Sequence, residues 1–185
     1  FLYWITVVDA KNVAGIAEAD NLARWNGSAW SAAGTPGGAV ALAASGGDLY
    51  AWGGNNLAKW NGSSWSVLDL YPNSGLNGSV FALAVSGTNL FAGGWFTMAG
   101  GAAANYIAKW DGNAWSALGS GSESDTPGFT GVYALAVSGT DLYVGGNFTA
   151  SGGTPAKNIA KWNGTAWSAL GAGLDNQVQA LAVSG

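Results

Sequence analysis

The side chains with the richest chemistry in this chain are two carboxylates, Glu123 and Asp125, in the run Ser122-Glu123-Ser124-Asp125. Two carboxylates two residues apart beside hydroxyls form an oxygen set that a hard cation such as calcium accepts; a solvated acidic loop is the plainer alternative. Catalytic chemistry is scarcer still. With no histidine and no cysteine, Ser-His-Asp and Cys-His nucleophiles, histidine-rich zinc or copper sites and thiolate metal sites are excluded within this chain. A pair of Asp or Glu residues could converge from different loops for glycoside hydrolysis, but no spacing singles one out. The expectation is a protein that is not an enzyme, with calcium as its one conceivable cofactor.

Aromatic side chains offer recognition chemistry instead. Trp95, Phe96 and Phe148, with Asn147, Tyr71 and Phe129, fall on loops where rings can stack on sugars. Phe-Thr follows a double glycine twice, at Phe96-Thr97 and Phe148-Thr149, so the phenylalanines fit a structural wedge as well. Eight of the eleven tryptophans stand in pairs, at Trp25/Trp30, Trp60/Trp65, Trp110/Trp115 and Trp162/Trp167. Paired indoles either cement one sheet to the next or form a ring of sugar platforms; the need to bury a large apolar face favours cement.

Six basic against ten acidic residues give a net charge of −4, and no Lys/Arg cluster could neutralise successive phosphates. Nucleic acid is excluded as a partner. The basic residue before the first tryptophan of each pair recurs as Arg24, Lys59, Lys109 and Lys161, which reads as an outward, solvated belt or as a contact to acidic loops of a neighbouring molecule. Glycine interrupts every apolar run before the ~18 residues that a membrane helix needs. Asn-Gly-Ser/Thr and Asn147-Phe148-Thr149 match the glycan acceptor pattern, a coincidence of Asn-Gly turns. A charge-poor surface rich in Gly, Ser, Thr, Asn and Ala suits an extracellular or cell-surface protein, and the opening in mid-motif at Phe1-Leu2-Tyr3 suits a processed product or a segment of something longer.

The elements that must carry these residues repeat. Four units, approximately 1–46, 47–87, 88–139 and 140–185, each end on an Ala-Leu-Ala-like run closed by Ser-Gly. Period-2 alternation predicts strands over Val132–Val137, Leu142–Gly146, Asn158–Trp162 and Thr165–Leu170. Asn26-Gly27, Asn61-Gly62, Asp111-Gly112 and Asn163-Gly164 predict type I′ turns between the tryptophans. From the leucine of the second strand to the first tryptophan the spacings are 23, 11, 20 and 20; from the second tryptophan to the serine of Ser-Gly they are 15, 21, 23 and 17. All variation therefore lies in two connections that leave a four-stranded antiparallel blade on the same side, and that side is the candidate binding surface. Its further polar residues are Asp69, Asn73, Asp175 and Asn176. Alanines at 41/43, 82/84, 134/136 and 180/182 suit inner strands crowded around an axis.

Leu-Tyr-x-Gly-Gly on a second strand, then an aromatic-Asn/Asp-Gly-x-x-Trp hairpin, resembles the kelch repeat of propellers such as the central domain of galactose oxidase. The match runs through Leu90–Gly94 with Trp110/Trp115 and Leu142–Gly146 with Trp162/Trp167. It weakens at Leu49–Gly54, where the glycines come late, and at Leu2–Ile5, which has none. The resemblance implies an all-β propeller of four-stranded antiparallel blades. Copper enzymes of that type need Tyr, His and Cys, and the last two are missing. A closed four-bladed ring is expected, with Gln177–Ser184 pairing near Phe1–Ile5 as a latch; a window onto a larger propeller is the alternative. The function expected is a non-catalytic exported structural or recognition module, a subunit of a surface assembly or filament whose partners are copies of itself or neighbouring surface proteins. A lectin-like carbohydrate binder is the alternative.

Overall fold

A computed structural model describes residues 3–6, 12–13, 16–17, 22–25, 28–32, 34, 39–45, 47–54, 56–70, 75–125 and 130–183. They are all-β. The chain divides into two compact units, Phe1–Leu70 and Tyr71–Gly185.

In the first unit, β1 (Tyr3–Thr6), β2 (Asn12–Val13), β3 (Ile16–Ala17), β4 (Leu22–Trp25) and β5 (Trp30–Ala32) form a three-stranded antiparallel sheet in the order β1-β4-β5 and a small β2-β3 hairpin. Then β6 (Ala39–Ser45), β7 (Asp48–Gly53), β8 (Asn56–Trp60) and β9 (Trp65–Leu70) make a four-stranded antiparallel meander.

The second unit contains two such meanders. β10 (Ser79–Ser86) and β11 (Asn89–Trp95) are followed by a short hairpin, β12 (Met98–Ala99) with β13 (Ala102–Ala103); β14 (Ile107–Trp110) and β15 (Trp115–Ala117) complete the sheet β10-β11-β14-β15. After β16 (Ser122–Glu123), β17 (Gly131–Ser138) and β18 (Asp141–Asn147) lead to a second short hairpin, β19 (Ala150–Ser151) with β20 (Thr154–Pro155). Last, β21 (Ile159–Trp162) and β22 (Trp167–Ala169) close the sheet β17-β18-β21-β22. This succession of up-and-down sheets is propeller-like.

The double glycines explain how the sheets come so close. A Cβ on Gly93 would overlap Val132 on the inner strand of the following sheet, and a Cβ on Gly94 would overlap the carbonyl of Ser79 in its own. The first glycine thus admits the neighbouring sheet. The second accommodates a bulge, because the β10–β11 register slips between Val80 and Ala82, as it does between Val132 and Ala134 in β17. Between these two sheets lies a core that includes Ile107, Leu118, Val132, Val144, Phe148 and Trp167. Each such side chain contributes at most about 1.5–3 kcal/mol of hydrophobic stabilisation.

The tryptophan hairpins depart from the predicted turn. Trp25 lies opposite Trp30, Trp60 opposite Trp65, Trp110 opposite Trp115 and Trp162 opposite Trp167, so each loop holds four residues instead of two. The cause is the Asn or Asp side chain. Asn61 Oδ1 accepts from the amides of Ser63 and Ser64 at 3.0 Å each, Asp111 Oδ1 from Asn113 and Ala114, and Asn163 Oδ1 from Thr165 and Ala166. Those side chains satisfy the loop amides, and only the glycine takes a positive φ (102° at Gly62). Rings pair at 5.3–5.5 Å between centroids, tilted by 48–58°.

Cement is the role visible for Trp167, which is buried and donates Nε1–H to the Leu118 carbonyl of the preceding sheet at 2.9 Å. Trp110 and Trp115 are also buried. Trp25, Trp30, Trp60, Trp65 and Trp162 keep part of their surface in solvent.

Candidate functional site

Bulges re-aim side chains, and here they build an aromatic rim. The register slips at Phe81 in β10 and at Tyr133 in β17, and Phe81 turns its ring outward. Phe81 lies 5.8 Å edge-on from Trp95 and 5.7 Å from Tyr133. Beneath Trp95 is Gly131, where a Cβ would come within 2.5 Å of both Cδ1 and Nε1 of the indole. Glycine at 131 therefore lets the ring come close against the next strand. Trp95 nevertheless remains 47% exposed and Phe81 41%.

Beside the rim a cleft of about 240 Å³ is lined by Asn77, Trp95, Phe96, Thr97, Tyr106 and Thr130. Asn77 is committed to the fold: its Oδ1 accepts from the Thr97 and Met98 amides at 2.8 and 2.9 Å, and its Nδ2 donates to Thr97 Oγ1 at 3.1 Å. No charged side chain is among the lining residues. Tyr106 has φ 67°, and its carbonyl accepts from Gly94 N at 3.0 Å. Aromatic faces next to neutral hydroxyls suit an uncharged, hydroxylated ligand.

Of the residues expected to stack on sugars, Trp95 is the one among the described residues whose ring is exposed. Phe96 and Phe148 are 2% and 1% exposed, so neither ring stands open for stacking; Phe148 belongs to the core between the two sheets. Asn147 occupies the place that Trp95 has in the preceding sheet and pairs with Gly131 across the ladder. Tyr71 and Phe129 lie outside the described residues, as does Asn73. Phe81 and Tyr133 were not expected at the site. The signal was present in the repeat, since the same position carries Val40, Phe81, Tyr133 and Gln179 amid otherwise similar runs.

Glu123 and Asp125 differ in their surroundings. Glu123 is tied to the fold by its backbone, opposite Ala150, with its carbonyl accepting from Thr149 N at 2.8 Å; its Oε1 accepts from Ser120 Oγ at 2.6 Å. Asp125 is exposed. Among the described residues no group of three or more Asp, Glu, His or Cys comes together to hold a metal. The run has a structural part to play, because β16 adds a third strand to the β19-β20 hairpin and buries Ser122 against Ser151 at 3.3 Å between hydroxyls. Leu76 bridges to Ala99 in the corresponding place. Both variable connections thus meet at one set of short hairpins.

Two of the four basic positions are in ion pairs. Lys59 pairs with Asp48 at 2.7 Å and Lys161 with Asp141 at 3.0 Å, and the carboxylate in each case raises the lysine pKa above its ordinary value. Lys157 pairs with Asp175 at 2.7 Å. The Arg24 side chain lies outside the described residues.

No family model matches the chain, and no curated protein matches it. Solved structures do resemble it. The computationally designed Ika4 protein aligns with TM-score 0.54 at 18% identity, over 83% of this chain and 84% of that one. The computationally designed Ika8 protein aligns with TM-score 0.59 at 17% identity, over 91% of this chain and 48% of that one, so the chain spans about half its length. A structure of YCF48 bound to D1 peptide gives TM-score 0.47 at 18% identity, over 79% of this chain and 45% of that one. At these identities the likeness to the two designed proteins concerns the fold alone.

Proposed function

We propose that the protein is a non-catalytic β-propeller with kelch-like blades, acting outside the cell as a structural or recognition module. Its blades form a four-membered ring latched by the segment around Val178–Val183, and the same latch exchanged between copies would make a filament or surface assembly. The observation that carries this reading is the seat of Val178. It packs on Gly145 as Val132 packs on Gly93, and its amide donates to the Gly146 carbonyl at 3.0 Å. Gln177–Val183 repeats the inner-strand run but makes no ladder among the described residues, while the β1-β4-β5 sheet has three strands where its counterparts have four. Among the described residues, an inner-strand run without a ladder and a sheet of three strands offer complementary edges.

Sedimentation across a concentration series distinguishes the two forms of the latch. A monomer whose melting temperature drops on Val178→Asp supports closure in cis; a ladder of oligomers that Val178→Asp abolishes supports exchange between copies. If the substitution alters neither stability nor assembly, the latch is wrong.

The aromatic rim favours a second reading, a lectin-like module for neutral glycans. Exposed indole and phenyl faces above an uncharged cleft support it, and weak sites would gain from repetition. A glycan array tests it with Trp95→Ala and Phe81→Ala. Binding that survives both changes, or no binding at all, removes this reading.

A further inference from the structure

Lys109 breaks the pattern of its sister lysines. In the sheets of Lys59 and Lys161 an aspartate stands two residues before the lysine's cross-strand partner, as Asp48 before Tyr50 and Asp141 before Tyr143, and closes an ion pair. The corresponding residue before Phe91, which pairs with Lys109, is Asn89. Lys109 makes no ion pair among the described residues. The nearby Asp111 carboxylate is engaged by the amides of Ala114 and Asn113, and Lys109 is the weakest influence on it. Lys109 instead lines a cleft of about 320 Å³ between the β10-β11-β14-β15 and β17-β18-β21-β22 sheets, with Ser86, Asn89, Phe91, Thr140 and Trp162.

We infer that this cleft binds a carboxylated sugar, with Lys109 taking the carboxylate that Asp48 and Asp141 supply internally in the other sheets. The lining fits that chemistry on each count. An ammonium without a carboxylate partner selects an anion. The half-buried Trp162 gives an apolar face for a sugar ring, with the buried Phe91 in the cleft wall beside it, while Asn89, Ser86 and Thr140 offer neutral donors and acceptors to its hydroxyls. The volume exceeds what one acidic amino-acid side chain fills, which favours a hexuronate over an acidic peptide. This site is separate from the neutral rim at Trp95, and its success or failure leaves the latch untouched.

The test is calorimetric titration of the whole chain with a tetragalacturonate, a neutral oligosaccharide of the same length and a tetraglutamate peptide. The uronate should bind, more weakly at high salt. Asn89→Asp should recreate the internal ion pair and lower affinity by about tenfold or more, as should Lys109→Met. Asn89→Asp keeps the residue found in the sister sheets, so an unchanged melting curve identifies the loss as one of binding. Equal uptake of the neutral sugar, preference for the peptide, absence of uronate binding, or full binding by Asn89→Asp overturns the inference.

Discussion

Val132 fills the space that a side chain on Gly93 would need, and its partner residues repeat the arrangement at Val178 on Gly145. In each of these two sheets one glycine is thus the socket for one valine of the next inner-strand run. The same socket sets the distance between inner strands, which in turn places Phe81 within reach of Tyr133.

Gly93→Ala should therefore destabilise the second unit by about 1–3 kcal/mol through overpacking. Val132→Ala alone leaves a cavity, yet in the double variant the new methyl has room, so the two losses should be markedly less than additive. Urea denaturation of the four proteins measures the coupling. Additive losses would mean that the two residues do not share the space.

Much of this arrangement was legible from residue types. The Trp-x4-Trp hairpins, the Gly-Gly pairs and the alternating inner strands announce antiparallel sheets repeated along the chain. Two features were hidden. Strands of two residues, such as Met98–Ala99 and Ala150–Ser151, are too short to show alternation, so the short hairpins read as loops. Bulges slip the register by one residue, which turned Phe81 outward from a run that alternation alone would have placed in regular pairing. The turn type was misread for a related reason. Asn-Gly signals a two-residue turn only when the asparagine backbone takes positive φ; here its side chain caps the amides of a four-residue loop instead.

Trp167 and Trp30 should separate cement from decoration. Trp167→Phe keeps most of the buried area but leaves the Leu118 carbonyl without its indole donor, at a cost of about 1–3 kcal/mol. Trp30 is only half-buried. Trp30→Phe should cost less, and chemical denaturation followed by circular dichroism ranks the two.

Asp111 makes one of the tryptophan loops sensitive to acid. The amides of Ala114 and Asn113 hold its carboxylate below the ordinary range. A lowered folded-state pKa means that the loop's support is complete above the unfolded-state value and is lost as pH falls through the folded one. Amide exchange at Asn113 and Ala114 should rise on acidification through that window. The Asn61 and Asn163 loops, with an uncharged side chain in the same role, should stay flat, and Asp111→Asn should make the third loop behave like them.

Phe148 and Trp95 carry opposite expectations although both are aromatic residues near the double glycines. Phe148 is 1% exposed and packs in the core between sheets, so Phe148→Ala should cost about 3–5 kcal/mol. Trp95 touches Phe81 and covers Gly131 from the solvent side, and Trp95→Ala should shift stability far less while removing the largest face of the rim. A thermal melt and a glycan-binding assay on both variants give a two-by-two outcome. The rim is a binding surface only if the Trp95 variant loses ligand at nearly unchanged stability; if it instead melts like the Phe148 variant, the exposed indole is a structural cover for the glycine beneath it.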